Sequence, residues 1–274
     1  MLPKADHVLI AKLATIGQLA TEEMTALLAI IGKTRQVSRH QDIVKDGSSP
    51  DSVTLIVSGF ACRYKLLPDG GRQIHSFHIP GDLPDLPGFV TGFTDHAIGA
   101  LITCEVAVIA HDELRKLSEG FPNLARVLWR DTLIDFAITR EWLTGVGRRD
   151  ARARTAHLLC EQYYRMRTIG MAGDNVLPFP VTQVEIADAL GLSTVHVNRT
   201  MKTLAREKLI NYQNHSITIL QWEKLQTAGQ FDPCYLLWSD GNLRRDGRKW
   251  GGTQRQSIPA RLTAGIEGTD QQTG

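Results

Sequence analysis

Apolar residues change their rhythm along this chain, and each change marks a different kind of element. At Thr21–Gly32 (TEEMTALLAIIG) they fall on one helical face, with Thr21 placed to cap, Glu22 and Glu23 at the positive end and Gly32 to stop the helix. From Gln36 to about Ala110 the rhythm shortens. The β-rich runs Ser52–Val57, Ala61–Leu67, Gln73–Ile79 and Leu101–Ile109 are separated by the turn signals Asp46-Gly47, Ser58-Gly59, Asp69-Gly70-Gly71, Pro80-Gly81 and Ile98-Gly99. Short strands so spaced build a sandwich or a barrel. After Gly120-Phe121-Pro122 a long helical pattern begins, with Leu124, Val127, Ile134 and Ile138 on one seam, interrupted by Asp131 and Glu141. That stripe predicts a coiled-coil-like dimer seam; packing against the chain's own β-domain is the alternative. Gly145 and Gly147 break the period and mark a hinge, after which a second helix runs from about Arg149 to Arg167 with Ala156, Leu159, Cys160 and Tyr163 at core spacing. Thr168–Pro180 reads as a Gly/Pro-bearing loop. Beyond Asp240 no apolar period remains, which predicts a disordered tail.

The most informative stretch is Val181–Ile210 (VTQVEIADALGLSTVHVNRTMKTLAREKLI). Thr182 and Glu185 have the spacing of a capping box, and Ile186, Ala187 and Leu190 give the first helix an apolar face. Gly191 suits a left-handed turn, Leu192 plugs the core beneath it, and Ser193 caps a second helix carrying Val197, Met201 and Leu204 at helical spacing. The opposite face presents Thr194, Val195, His196, Asn198, Arg199 and Lys202. Short polar groups and an arginine near the start of such a helix are what base edges require, while caps and flanking cations suit phosphates. Ile217–Leu220, after Asn214-His215-Ser216, reads as the second strand of a wing.

Composition adds location and exclusions. Hydrophobic residues are 42% and charged residues 22% of 274, ordinary for a globular chain of two domains. No apolar run is long enough to span a membrane, and Met1–Ala20 lacks the pattern of a secretory signal, so a cytoplasmic protein is expected. The net charge of +2 is uninformative, but Arg140, Arg148, Arg149, Arg152, Arg154, Arg165 and Arg167 cluster just before the helix pair and suggest a basic approach surface. Cys62, Cys104, Cys160 and Cys234 are too dispersed for a zinc or iron–sulfur motif and read as mostly buried thiols.

Helix, tight turn, capped helix and wing together resemble the Crp/Fnr family of regulators, strongly over the helix-turn-helix and weakly over the β-region. The resemblance implies an α+β chain with an N-terminal double-stranded β-helix (jelly-roll-like) sensor domain at 1–118, a dimerisation helix and hinge at 119–146, a winged helix-turn-helix at 147–225 and a tail at 226–274. It implies a sequence-specific DNA-binding homodimer on a palindromic site, controlled by a signal at the β-roll and reaching RNA polymerase through the loop at 168–178. Family base-reading positions fall on Thr194, Val195, Asn198 and Arg199; Thr182, Ser193, His196 and Lys202 are the candidates for the DNA backbone. Val195 stands where many members carry a base-reading glutamate, so the usual half-site is not expected.

In the cyclic-nucleotide branch a Gly-Glu-Leu turn and a downstream Arg-Ser pair grip the ligand. Gly81, Asp82 and Leu83 resemble the turn and form the candidate effector pocket. No Arg or Lys follows before His111, and Thr94-Asp95 falls near the place of the pair. A buried phosphate without such a partner is costly, which argues against cyclic AMP. Haem stays open through His75, His78, His96 and His111; otherwise no cofactor is evident and the effector is unassigned. Two rivals remain. A cupin-like metal enzyme would need histidines on one strand face, yet His75 and His78 are three apart, and no enzyme activity is expected. A protein-interaction module with a purely structural winged helix would bind no DNA.

Overall fold

The computed structural model describes residues 4–213 and 215–236. In chain order the elements are α1 (Lys4–Ile16), α2 (Thr21–Ala29), β1 (Arg35–Val37), β2 (Asp42–Val44), β3 (Ser52–Ser58), β4 (Ala61–Leu66), β5 (Arg72–His78), α3 (Gly88–Thr91), β6 (Ala97–Ala100), β7 (Cys104–Ala110), α4 (His111–Gly120) and α5 (Pro122–Arg148). There follow α6 (Ala151–Thr168), β8 (Val176–Pro178), α7 (Gln183–Leu190), α8 (Thr194–Arg206), β9 (Ile210–Gln213), β10 (Ser216–Ile219), α9 (Trp222–Gly229) and a 3-10 turn at Pro233–Leu236.

The β-roll is built from two antiparallel sheets, ordered β1-β7-β3 and β2-β6-β4-β5. Val53, Leu55, Phe60, Ile74, Phe77 and Ile109 are among its buried core residues. The strands read from sequence are present with shifted ends, whereas β1, β2 and β6 were not legible. Helix α1 was also missed, although Leu9, Leu13 and Ile16 pack into the core from it. The cause lies in Lys12, which points inward to an ion pair and spoils the apolar stripe. Thr21 begins α2 without capping it. Glu23 reaches back to the Ala20 N–H at 2.8 Å and also accepts from Leu124 N at 3.1 Å, tying α2 to the start of α5. Gly32 lies beyond the end of α2 and donates to Val108 O at 2.8 Å.

Two expectations about α5 are corrected. The helix does not break at Gly145 and Gly147 but continues to Arg148. A helical glycine costs only about 1 kcal/mol, and Arg149 spans the region by donating to Glu141 O at 3.1 Å and to its carboxylate at 2.8 Å. The turn comes at Arg149-Asp150, where the Asp150 carboxylate caps α6 by accepting from Ala153 N at 2.8 Å. The expected seam is also misplaced. Leu124, Val127, Ile134 and Ile138 are buried within their own chain. Asp131, thought to interrupt a dimer seam, pairs with Lys12 of α1 at 2.7 Å. The outward face instead carries Trp129, Leu133, Phe136 and Leu143, all exposed, at alternating spacings of four and three when Arg140 is included.

The ordered chain also extends past the tail boundary expected at 226. Leu225, Phe231 and Leu236 are buried, and the Tyr235 hydroxyl donates to Glu161 at 2.9 Å. Glu161, fully buried on α6, accepts from Trp142 Nε1 on α5 at 3.1 Å as well. His157 sits between Gly229 O and Tyr235 OH, each at 3.1 Å. The last described segment thereby clasps the joint between α5 and α6. Residues 237–274, where the rest of the tail was expected, lie outside the described residues, as does Asn214.

Candidate nucleic-acid interface and sensor pocket

Helices α7 and α8 form the helix-turn-helix that the sequence pattern predicts. Glu185 N donates to Thr182 Oγ1 at 3.2 Å, and Thr182 N donates to the Glu185 carboxylate at 2.6 Å, closing the capping box. Gly191 ends α7 at φ 61° and ψ 43°, a left-handed conformation that disfavours a Cβ. Ser193 Oγ caps α8 by accepting from His196 N at 3.2 Å. Val197, Met201 and Leu204 bury one face of α8 against Ile186, Ala187 and Leu190. This packing leaves Thr194, Val195, His196, Arg199 and Lys202 exposed together on the other face, with Asn198 half-buried at its edge. Strands β8, β10 and β9 form the wing, and Ile217 pairs with both Leu177 and Tyr212.

The polar groups of that face differ in freedom. Among the described residues the Arg199 guanidinium and the Lys202 ammonium make no ion pair or side-chain hydrogen bond, so both are available to a ligand. Asn198 Nδ2 donates to Gln183 Oε1 at 3.0 Å, a partner not singled out from sequence. Thr182 and Ser193 spend their hydroxyls on caps, yet a hydroxyl that accepts one bond retains a donor.

The arginine cluster is mostly structural. Arg149 pairs with Glu141, Arg152 with Glu207 at 2.5 Å, and Arg165 with Asp82 at 2.7 Å. Arg154 donates to Leu190 O at 2.8 Å, fastening α6 to the end of α7. Among the described residues Arg140, Arg148 and Arg167 of that cluster are exposed without an ion pair or side-chain hydrogen bond, and the basic approach surface read from sequence shrinks accordingly.

At the β-roll, Gly81 takes φ 92° and lies so close to α1 that a Cβ there would stand 2.7 Å from Val8 O. The turn is bracketed by Ile79 N donating to the Asp82 carboxylate at 2.9 Å and by Gly81 N donating to Ile56 O at 2.8 Å. Asp82 and Leu83 then line a small cavity of about 50 Å³, with Lys12, Asp131, Asp135 and Arg165 around it. Lys12 Nζ bridges Asp82 at 2.8 Å and Asp131 at 2.7 Å. Burial works against the Asp82 charge, but Lys12 and Arg165 outweigh it and hold the carboxyl well below its ordinary range. Asp135, opposed by burial but paired with Arg63 at 2.6 Å, is likewise lowered. Burial dominates at Asp131 and raises it.

The cavity is small and lined by carboxylates, unlike a ready-made anion site. Ligand pockets for small molecules run to about 300–1,000 Å³, three carboxylates face the space, and the cations present are already engaged. Thr94, at the place of the missing Arg-Ser pair, exchanges hydrogen bonds with Ser48 and Lys45 O. Of the histidines proposed for haem, two are engaged, while His111 Nε2 is buried without a hydrogen-bond partner among the described residues. His78 lies 2.9 Å from Ser76 Oγ, and His96 contacts Asp95 at 2.7 Å while accepting from Arg63 Nε at 3.2 Å. No group of three metal-ligating side chains occurs among the described residues. Burial pushes the Cys62 thiol up to about 12 and Cys104 to about 11, so neither offers a thiolate near neutral pH. No described helix is long and apolar enough to cross a membrane.

Residues 34–120 match the cyclic nucleotide-binding domain family and residues 153–228 the Crp-like helix-turn-helix domain. The nitrogen fixation regulation protein FixK of Bradyrhizobium diazoefficiens is 30% identical over 192 residues, covering 69% of this chain and 79% of the relative. The transcriptional activator Anr of Pseudomonas protegens is 27% identical over 199 residues, covering 73% and 81%. The solved structure of FixK2 from Bradyrhizobium japonicum superposes with a TM-score of 0.65 at 26% identity, covering 72% of this chain and 96% of that one. A β-roll joined through a long helix to a capped, wedged helix-turn-helix with a wing is therefore shared in sequence as well as shape, and this chain belongs to the Crp/Fnr family of DNA-binding transcription regulators.

Proposed function

We propose that the protein is a cytoplasmic homodimer that binds a palindromic DNA site, activates transcription through contact with RNA polymerase, and is governed at the β-roll. The observation that carries the DNA-binding face is α8, whose buried side is locked by the helix-turn-helix core and whose open side presents an unengaged Arg199. In the major groove Arg199 would donate a bidentate pair to guanine, and Val195, 69% exposed, would touch a thymine methyl. Thr194 and Asn198 flank these as base contacts. Thr182, Ser193, His196 and Lys202 lie where phosphates would pass. Two such helices reading successive turns would set half-sites about 34 Å apart.

Pairing is assigned to the outward stripe of α5, Trp129, Leu133, Phe136 and Leu143, in place of the four buried residues first expected. An unpartnered apolar row of this size on a long helix is the surface a second copy would cover.

Selection from random duplex DNA with the purified protein at near-physiological salt tests the proposal. Enrichment of a two-fold palindrome is expected, with affinity falling steeply as salt rises. Enrichment of an undivided single site would remove the homodimer, and no salt-dependent binding, with or without cell extract, would remove the DNA-binding reading. Arg199→Ala should cost about 1–3 kcal/mol on the selected site and relax one base pair. An equal loss on every sequence would make Arg199 a phosphate contact.

A further inference from the structure

The candidate effector pocket lies between the turn after β5 and helix α5, and the two cations that line it come from neither. Lys12 arrives from α1. Arg165 arrives from α6, the first helix of the DNA-binding unit, and donates to Phe77 O at 2.9 Å as well as pairing with Asp82 at 2.7 Å. Both partners are nearly shut off from solvent, with side chains 12% and 3% exposed. We propose that the sensor pocket is liganded by the chain itself, and that Arg165 on Asp82 is a latch fixing the DNA-binding unit to the β-roll without any small molecule.

A single ion pair would leave a pivot. The structure supplies a second attachment away from the first. Arg72, at the start of β5, donates Nε to Asp188 of α7 at 2.9 Å and Nη2 at 2.8 Å, and Gln73 Nε2 lies 3.4 Å from Ala189 O. Two anchor points, one on α6 and one on α7, leave the unit only rotation about the line joining them. Helix α8 stays clear of both contacts and keeps its base-reading face open. The latched arrangement therefore presets where each recognition helix stands before DNA arrives.

This inference rests on the dimeric DNA-binding reading, and its functional effect follows from tethering. When the first head is bound, the second gains its site at an effective concentration that can raise overall affinity by about 10²–10⁴-fold, provided that the geometry is preset. Losing the preset geometry forfeits part of that gain and leaves each head's own contacts intact.

Arg165→Gln and Asp188→Asn should be made in the full-length protein. Binding should be measured to the selected palindrome and to a duplex carrying one half-site, with hydrogen exchange followed at residues 77–82 and 183–190. Palindrome affinity should fall tenfold or more while half-site affinity stays within about twofold, and exchange should speed up at both segments. The Asp188 side chain is 23% exposed and pairs with Arg72, so its variant reports on docking even if Arg165→Gln compromises folding. Unchanged or tighter palindrome binding, or unchanged exchange at both segments, would overturn the latch. Failure of the unmodified protein to bind even a half-site would instead count against the DNA-binding reading, while the exchange experiment still decides the latch.

Discussion

Replacing Phe136 by alanine separates the two faces of α5. Phe136 is 58% exposed in the single chain. A phenylalanine offers about 150–250 Å², so about 100 Å² of its surface is open to a partner. At about 25 cal/mol per Å² this is about 2.5 kcal/mol. A two-fold interface uses the same residue twice, so the substitution removes about 5 kcal/mol as an upper figure, roughly three and a half orders of magnitude in the dimer dissociation constant. Sedimentation equilibrium across nanomolar to micromolar protein, with circular dichroism to confirm the fold, reads this directly. Leu124→Ala is the contrast. Leu124 is 0% exposed, and deleting it should lower folding stability by about 2–5 kcal/mol while the protein that remains folded associates as before. A Phe136→Ala protein that dimerises like its parent, beside a folded Leu124→Ala protein that does not, would refute the assignment and restore the seam first read from the sequence.

Other consequences can be measured separately. Burial raises the Asp85 carboxyl to about 6 despite its bonds from Thr54. A carboxyl raised on folding contributes stability that is whole below its unfolded value near 3.8 and is lost as pH climbs through about 6. Denaturant titrations should accordingly show the parent losing stability relative to Asp85→Asn between those limits and running parallel to it above them; a constant difference across the window would refute the assignment. Gly191→Ala should lower stability by about 1–2 kcal/mol through its left-handed backbone alone, since no atom lies within 4 Å of the added Cβ. A neutral effect in thermal unfolding would contradict the turn geometry.

The helix-turn-helix was legible because local chemistry and tertiary role coincide there. Thr182, Glu185, Gly191 and Ser193 each do in the fold what their residue type favours by itself. The long helix was legible as a helix but not in orientation. Leu124, Val127, Ile134 and Ile138 form a convincing stripe, yet a helix packed on its own domain also needs one, and periodicity does not say which side meets which partner. Trp129 and Phe136 lay on the other side of the same wheel. Arginine was misread for a related reason. Charge in sequence suggested a surface, whereas Arg149 spends its guanidinium on nearby Glu141, and Arg154 and Arg165 spend theirs on a carbonyl and a carboxylate far along the chain. The pocket was legible only at Gly81, Asp82 and Leu83. Its cations arrive from 70 residues before and 83 residues after Asp82, as Lys12 and Arg165, separations that no local pattern records.

The clasp around Glu161 has a bearing on how the protein comes into being. A ribosome delivers the chain from its N-terminus, and early domains fold before later ones emerge. The β-roll can close once α5 has appeared, but Tyr235 reaches Glu161 and His157 only from the last described turn. Among the described residues the joint between the two halves is thus the final part to set. A nascent chain released short of Leu236 would own a finished sensor and a complete recognition helix, yet lack the fastening that gives them a common frame. Synthesis through Leu236 is in this sense a checkpoint for assembly, read out by a hydroxyl arriving late at a buried carboxylate.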